Sequence, residues 1–307
     1  MIENKKDFLT TQDFSREALY KLLYLAMDIK KNKAKYAEAL KNKKLGMIFE
    51  KSSTRTRVSF EVGIYELGGV GIFLSSRDIQ IGRGEPISDT AKVLSRYLDA
   101  IMIRTYKQED VEELAKNASI PVINGLTDLL HPCQAMADFQ TILEIKGKLE
   151  GIKLCFVGDG NNMANSLGIL ASQMGMHFSI ASPRGYEIKE NIVSIIKENA
   201  KETGSKINIT NNPVEAIEGA DVVYTDVWTS MGKEAEALER KKVFSDYQIN
   251  MSLVKKASTD FIFMHCLPAH RGEEVTDDVI DGSHSVVFDQ AENRLHIQKA
   301  ILYELMK

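Results

Sequence analysis

Lys51-Ser52-Ser53-Thr54-Arg55-Thr56-Arg57-Val58-Ser59-Phe60 is the stretch from which the rest of the chain can be read. The apolar run Gly46-Met47-Ile48-Phe49 before it reads as a short buried strand. After it, Val58, Val62 and Tyr65 recur at helical spacing, with Phe60, Ile64 and Leu67 beside them, until Gly68-Gly69 ends the pattern. The hydroxyl and arginine cluster therefore sits where a strand turns into a helix. Free backbone N–H groups point out of a helix start, and the helix dipole favours negative charge there. Ser53, Thr54 and Thr56 add hydroxyl donors, and Arg55 adds a planar fork suited to phosphate or carboxylate. The plainer reading is a capped helix with two solvated arginines. The density of donors favours a site for a dianion.

Outward from this stretch, apolar runs alternate with amphipathic segments to both ends of the chain, the signature of an α/β protein. A length of 307 residues suggests two domains, and 44% hydrophobic content gives each material for a core. A net charge of -4 argues against a general nucleic-acid binder. The start Met1-Ile2-Glu3-Asn4-Lys5-Lys6-Asp7 does not lead into an apolar signal segment, and no stretch approaches membrane-span length, so no membrane partner is expected. Cys133, Cys155 and Cys266 are odd in number and widely spaced, which fits reduced cytosolic thiols better than a disulfide framework or a zinc site.

In the first half, Phe8 to Lys31 reads as a cap, at Asp13 or Ser15, and a helix. A second strand is expected at Val70–Leu74. The polar loop from Ser75 to Pro86, containing Arg77, Gln80, Arg83 and Glu85, reads as a surface connection, after which Ser88 or Asp89 could cap a helix. Ala100-Ile101-Met102-Ile103-Arg104 looks like a buried strand ending in a base. Ligands of open α/β sheets sit beyond the carboxyl ends of the strands, which puts Arg104 at the rim of the anion loop; a structural salt bridge is the competing reading. Pro121–Gly125 reads as strand and turn. Pro132 suits the first turn of the following helix and brings His131 and Gln134 to its start, where an imidazole and an amide could bind a carbonyl oxygen and an amine. A simple cap remains the alternative there.

In the second half, Lys153-Leu154-Cys155-Phe156-Val157-Gly158-Asp159-Gly160-Asn161-Asn162-Met163 is strand, glycine turn and helix. It invites a dinucleotide reading, which fails twice: the third glycine position is Met163, and the next strand, His177–Ala181, ends in Ser182-Pro183 with no acid for a ribose. Asn161 and Asn162 instead suit the carboxylate or amine of a small zwitterion. Val222-Val223-Tyr224-Thr225-Asp226 reads as a strand ending in an acid that could meet a cationic amine, or simply cap a loop. Gly232 to Glu239 reads as a polar loop with few anchors. Phe261–Leu267 is one more apolar strand, with Cys266 at its carboxyl end. The C-terminal helix is expected from about Gln290 to Leu305, with Arg294 in its first turn.

Four motifs, in this order, resemble the aspartate/ornithine transcarbamylase family over essentially the whole chain. Ser53-Thr54-Arg55-Thr56-Arg57 resembles its carbamoyl-phosphate signature, and His131-Pro132-Cys133-Gln134 its second shared motif. Asp226-Val227-Trp228-Thr229-Ser230-Met231-Gly232 and His265-Cys266-Leu267-Pro268 resemble the loop and catalytic motif of the ornithine branch. The resemblance implies two parallel-sheet α/β domains, 1–145 for carbamoyl phosphate and 146–285 for ornithine, with a helix over 286–307 returning to the first domain.

It further implies transfer of the carbamoyl group of carbamoyl phosphate to the δ-amine of L-ornithine by direct attack, giving L-citrulline and phosphate in arginine metabolism. By the same resemblance, Ser53, Thr54, Arg55, Thr56, Arg104, His131, Gln134, Cys266, Leu267 and Arg294 would hold carbamoyl phosphate. Gln80 would reach it from a neighbouring subunit of a homotrimer or a multiple of trimers. Asn161, Asn162, Asp226, Ser230 and Met231 would hold ornithine. Arg55, Arg104, His131, Gln134, Asp226 and Cys266 would carry the chemistry. No metal, no organic cofactor and a cytoplasmic location are implied. A putrescine transcarbamylase would not need Ser230-Met231-Gly232, an aspartate enzyme would lack His265-Cys266-Leu267-Pro268, and a non-catalytic binder could lose Cys266.

Overall fold

The computed structural model describes residues 6–79, 84–229 and 234–307. Gln80, Ser230 and Met231, which the resemblance assigns to substrate binding, lie outside the described residues. The chain forms two compact units, Met1–Gln140 with Asn293–Lys307, and Thr141–Glu292.

The first unit is built on a four-stranded sheet of β1 (Lys44–Phe49), β2 (Val70–Ser75), β3 (Ala100–Arg104) and β4 (Val122–Leu126), in the order β2-β1-β3-β4. Every pairing is parallel. Parallel strands need crossovers, and the amphipathic segments between them supply helices. β1, β3 and β4 are buried nearly throughout, as strands covered on both faces must be. Ile48, Ile101, Ile103, Val111, Leu114 and Val122 form one core cluster. The C-terminal helix Val287–Met306 packs on this unit through its later turns: Lys299 Nζ lies 2.6 Å from Glu66, and Tyr303 meets the Tyr36 ring edge-on.

The helix Thr54–Glu66 turns its faces differently from the sequence expectation. Thr56, Phe60, Gly63 and Ile64 are the buried side. The stripe Val58, Val62 and Tyr65, at the same spacing, is exposed by 51%, 37% and 79%. Beside it β2 forms the open edge of the sheet and leaves Val70, Ile72 and Phe73 exposed. A periodic apolar stripe does not by itself say which face the fold buries. Elsewhere Ser15 caps the first long helix, Arg16–Lys31, as expected. Neither Ser88 nor Asp89 caps the next: that helix begins at Ile87 behind Pro86. Gly125 lies inside β4 and not in a turn; a Cβ there would lie 2.5 Å from Met102 Sδ and 3.1 Å from the Ile103 carbonyl oxygen, so the close approach needs glycine.

The second unit has five parallel strands, β5 (Lys153–Val157), β6 (His177–Ala181), β7 (Ile207–Thr210), β8 (Val222–Thr225) and β9 (Ile262–His265), in the order β7-β6-β5-β8-β9. Its core gathers Cys155, Val157, Val223, Phe244 and Phe263 around the buried Trp228. The expected loop from Gly232 to Glu239 is shorter than the sequence suggests: Glu234–Glu236 form a 3-10 turn and Ala237–Phe244 a helix. Arg240 holds this helix in place with its guanidinium 2.7 Å from Asp159 and 2.9 Å from the Trp228 carbonyl.

Candidate active site

The register of the first sheet decides where the anion-binding groups fall. Phe49 pairs with Arg104, so the loop after β1 and the base ending β3 share one rim. Ser53 caps the helix Thr54–Glu66, its Oγ accepting the Thr56 N–H at 3.2 Å. Thr56 is buried and becomes the meeting point. Its Oγ1 accepts from Arg294 Nη2 at 2.8 Å and from Arg104 Nη1 at 3.4 Å. Arg55 stands beside it, half-buried. Thr54 is exposed in the first turn.

His131 precedes the helix Pro132–Lys146, and Gln134 lies in its first turn, both buried. Gln134 Oε1 accepts from Arg294 Nη1, and its Nε2 donates to Asp138 Oδ1 at 2.7 Å. Burial, then the charges of Arg294, Arg104 and Arg55, hold the His131 pKa well below its ordinary 6.5. The imidazole is therefore neutral at physiological pH and can donate one N–H to an oxygen. The field that discharges His131 also draws a dianion, and the dipole of a helix start favours negative charge as well.

Arg294, expected in the first turn of its helix, lies two turns in, because the helix begins at Val287. The i,i+4 spacing of Gln134 and Asp138 was the available signal for Asp138, which the sequence reading passed over.

In the second unit, Thr225 pairs with His265, so Asp226 and Cys266 are the next residues on adjacent strand ends. Cys266 Sγ donates to Asp226 Oδ1 at 3.1 Å. Asn161 caps the helix Asn162–Met174 with its Oδ1 and donates Nδ2 to Asp226 Oδ2 at 2.8 Å. Its carboxamide is thus engaged within the protein at both ends and holds Asp226 in place. Asn162 opens the same helix. Leu267 has a φ of 57° and a cis bond to Pro268. Its N–H donates to His265 Nδ1 at 2.9 Å, while His265 Nε2 faces Glu274 Oε1 at 3.2 Å. Cys266 and Leu267, assigned above with the phosphate groups, thus belong to the unit that carries Asp226.

Asp226, His265 and Cys266, and separately His270, Glu273 and Glu274, have donor atoms within 4.8 Å of one another. Both sets are already engaged. His265 is bonded at both ring nitrogens, and Glu273 pairs with Lys241 at 2.6 Å. Among the described residues no helix is long and apolar enough to cross a membrane.

The first unit carries a dianion cradle with neutral imidazole and amide groups, and the second carries an acid–thiol pair. This is the equipment of a transferase that moves an acyl-type group off phosphate. The chain belongs to the aspartate/ornithine carbamoyltransferase family: residues 6–144 match the family's carbamoyl-P binding domain, and residues 150–305 its Asp/Orn binding domain.

Among its relatives, the ornithine carbamoyltransferase of Anoxybacillus flavithermus is 61% identical, over 98% of this chain and 96% of that protein. That of Thermococcus kodakarensis is 56% identical, over 98% and 96%. The solved ornithine carbamoyltransferase from Pyrococcus furiosus superposes with a TM-score of 0.95 at 54% identity, covering 98% of this chain and 97% of that one.

Proposed function

We propose that this protein transfers the carbamoyl group of carbamoyl phosphate to the δ-amine of L-ornithine, releasing L-citrulline and phosphate, as a cytoplasmic step of arginine metabolism. The observation that carries the reading is the convergence of Arg55, Arg104 and Arg294 on His131, with Thr56 accepting from two of them. In this reading Ser53, Thr54, Arg55, Thr56 and Arg104 hold the phosphate, with Arg294 behind them. His131 donates to the carbamoyl oxygen as negative charge grows there, which is usually a large catalytic contribution.

The ornithine amine has an ordinary pKa of about 10 and must lose a proton to attack. Asp226, with Cys266 on its Oδ1, receives the amine, and Asn162, Ser230 and Met231 take the α-carboxylate and α-amine. Alignment of the two reactants supplies much of the rate, and no covalent intermediate forms. Arg55→Ala is expected to abolish turnover and leave the fold intact, as read by circular dichroism; a folded variant with near-normal rates would remove the phosphate assignment.

The acceptor is supported by Asp226 beside Cys266 and by the names of the relatives. The test is product formation from carbamoyl phosphate with ornithine, putrescine, lysine or aspartate at equal concentration. Preference for ornithine supports the whole reading, whereas preference for putrescine keeps the phosphate groups and overturns the amino-acid groups.

We further infer a homotrimer, or a multiple of trimers, with Gln80 reaching a neighbour's phosphate. Its support is the exposed apolar surface of the helix Thr54–Glu66 and strand β2. Contiguous apolar surface of this kind marks an interaction site.

A further inference from the structure

Gln134 can present either end of its carboxamide to a ligand, and the two ends do opposite things. In this protein the choice is made twice over. Asp138, fully buried one turn further along the same helix, takes Nε2 at 2.7 Å. A carboxylate only accepts, so it holds the nitrogen end inward. Arg294, which only donates, takes Oε1, and its other nitrogen donates to Thr56 Oγ1 at 2.8 Å. The oxygen end therefore lies on the side of Thr56 and the arginines. An amide oxygen has two lone pairs, and Arg294 uses one.

We propose that Asp138 is a positioning residue for substrate choice: by fixing the Gln134 carboxamide it turns an acceptor oxygen toward the –NH2 of the carbamoyl group and so rejects acyl phosphates that carry a methyl in its place. This deepens the proposed function and rests on it. A site built to accept from an N–H discriminates against an analogue without one, because its polar atom is left unpartnered.

Carbamoyl phosphate and acetyl phosphate differ in this one group and serve as the probes. Their affinities are measured by calorimetry on the wild-type protein, Asp138→Leu, Asp138→Ala, Asp138→Asn and Gln134→Met. Wild type should prefer carbamoyl phosphate. Asp138→Leu should lower that preference about tenfold, the scale of one lost hydrogen bond at a buried site. Asp138→Asn, whose Oδ1 can still accept from Nε2, should keep it. Asp138→Leu combined with Gln134→Met should be no worse than Gln134→Met alone, since both act through one group. Asp138→Ala takes the place of Asp138→Leu if leucine prevents cooperative unfolding.

A folded Asp138→Leu that keeps the preference, or that loses both phosphates in equal proportion, overturns the inference and leaves the proposed function standing. So does an Asp138→Asn that behaves like leucine. Wild-type protein that binds neither phosphate overturns the proposed function and this inference with it.

Discussion

His131 is kept neutral by burial and by three guanidinium groups, and this has a sign that can be tested. Its pKa is lowered in the folded protein, while the unfolded chain titrates near the ordinary 6.5. Between those two values the unfolded state binds more protons, so stability falls as pH drops below about 6.5 and is whole above it. Urea unfolding of wild type and His131→Asn should show it: the variant should lose less stability on acidification. Equal acid sensitivity would mean that the imidazole is already charged. The cysteines divide just as sharply. Burial pushes the Cys133 and Cys155 thiols up to about 12, and both are fully buried, whereas Cys266 is partly exposed. Thiolate is the reactive form. Iodoacetamide at neutral pH should therefore modify Cys266 alone in the folded protein and all three cysteines after unfolding, read by mass spectrometry. Labelling of Cys155 in the folded protein would refute the packing described for β5.

At the scale of elements, most of the architecture was legible because it is local. Apolar runs bounded by turn residues located the strands, and strand ends located Arg104, Asp226 and Cys266. What was not legible depends on residues distant in sequence. The faces of the helix Thr54–Glu66 could not be told apart, since both carry apolar residues at the right spacing. Asn161 looked like a ligand group, and its attachment to Asp226 depends on a strand 65 positions away. The glycine turn after β5 has a packing reason that no local pattern shows. A Cβ on Gly160 would lie 2.4 Å from the backbone of Glu187 and Ile188. Gly160→Ala is therefore expected to cost about 3 kcal/mol, the upper range for forced overpacking. Chemical denaturation measures it, and a loss within the error of the method would show that the loop at Glu187 yields freely.

For the whole molecule, the trimer proposed above, supported by the exposed stripe of Val58, Val62 and Tyr65 beside β2, makes a direct prediction about assembly. The wild-type protein should sediment near 103 kDa, three times the 34.4 kDa chain, or at a multiple of that. Val70 is 58% exposed, so Val70→Lys should be tolerated by the fold and should release single chains. A trimer that survives this change would place the contact elsewhere.

The open edge of β2 bears also on how the protein ages. Among the described residues its outer side pairs with no strand, and an open row of amide and carbonyl groups beside apolar side chains can zip onto another strand that reaches it. The outer edge of β4 is guarded differently, by a bridge from Phe8 to Ile123. If the proposed trimer covers this edge, dilution should do more than separate partners: it should start a clock. Soon after dilution, reassembly should cover the edge again; later, wrong partners should have closed it, and concentrating the sample should no longer restore the trimer. Shelf life would then be a property of concentration, set by one short strand.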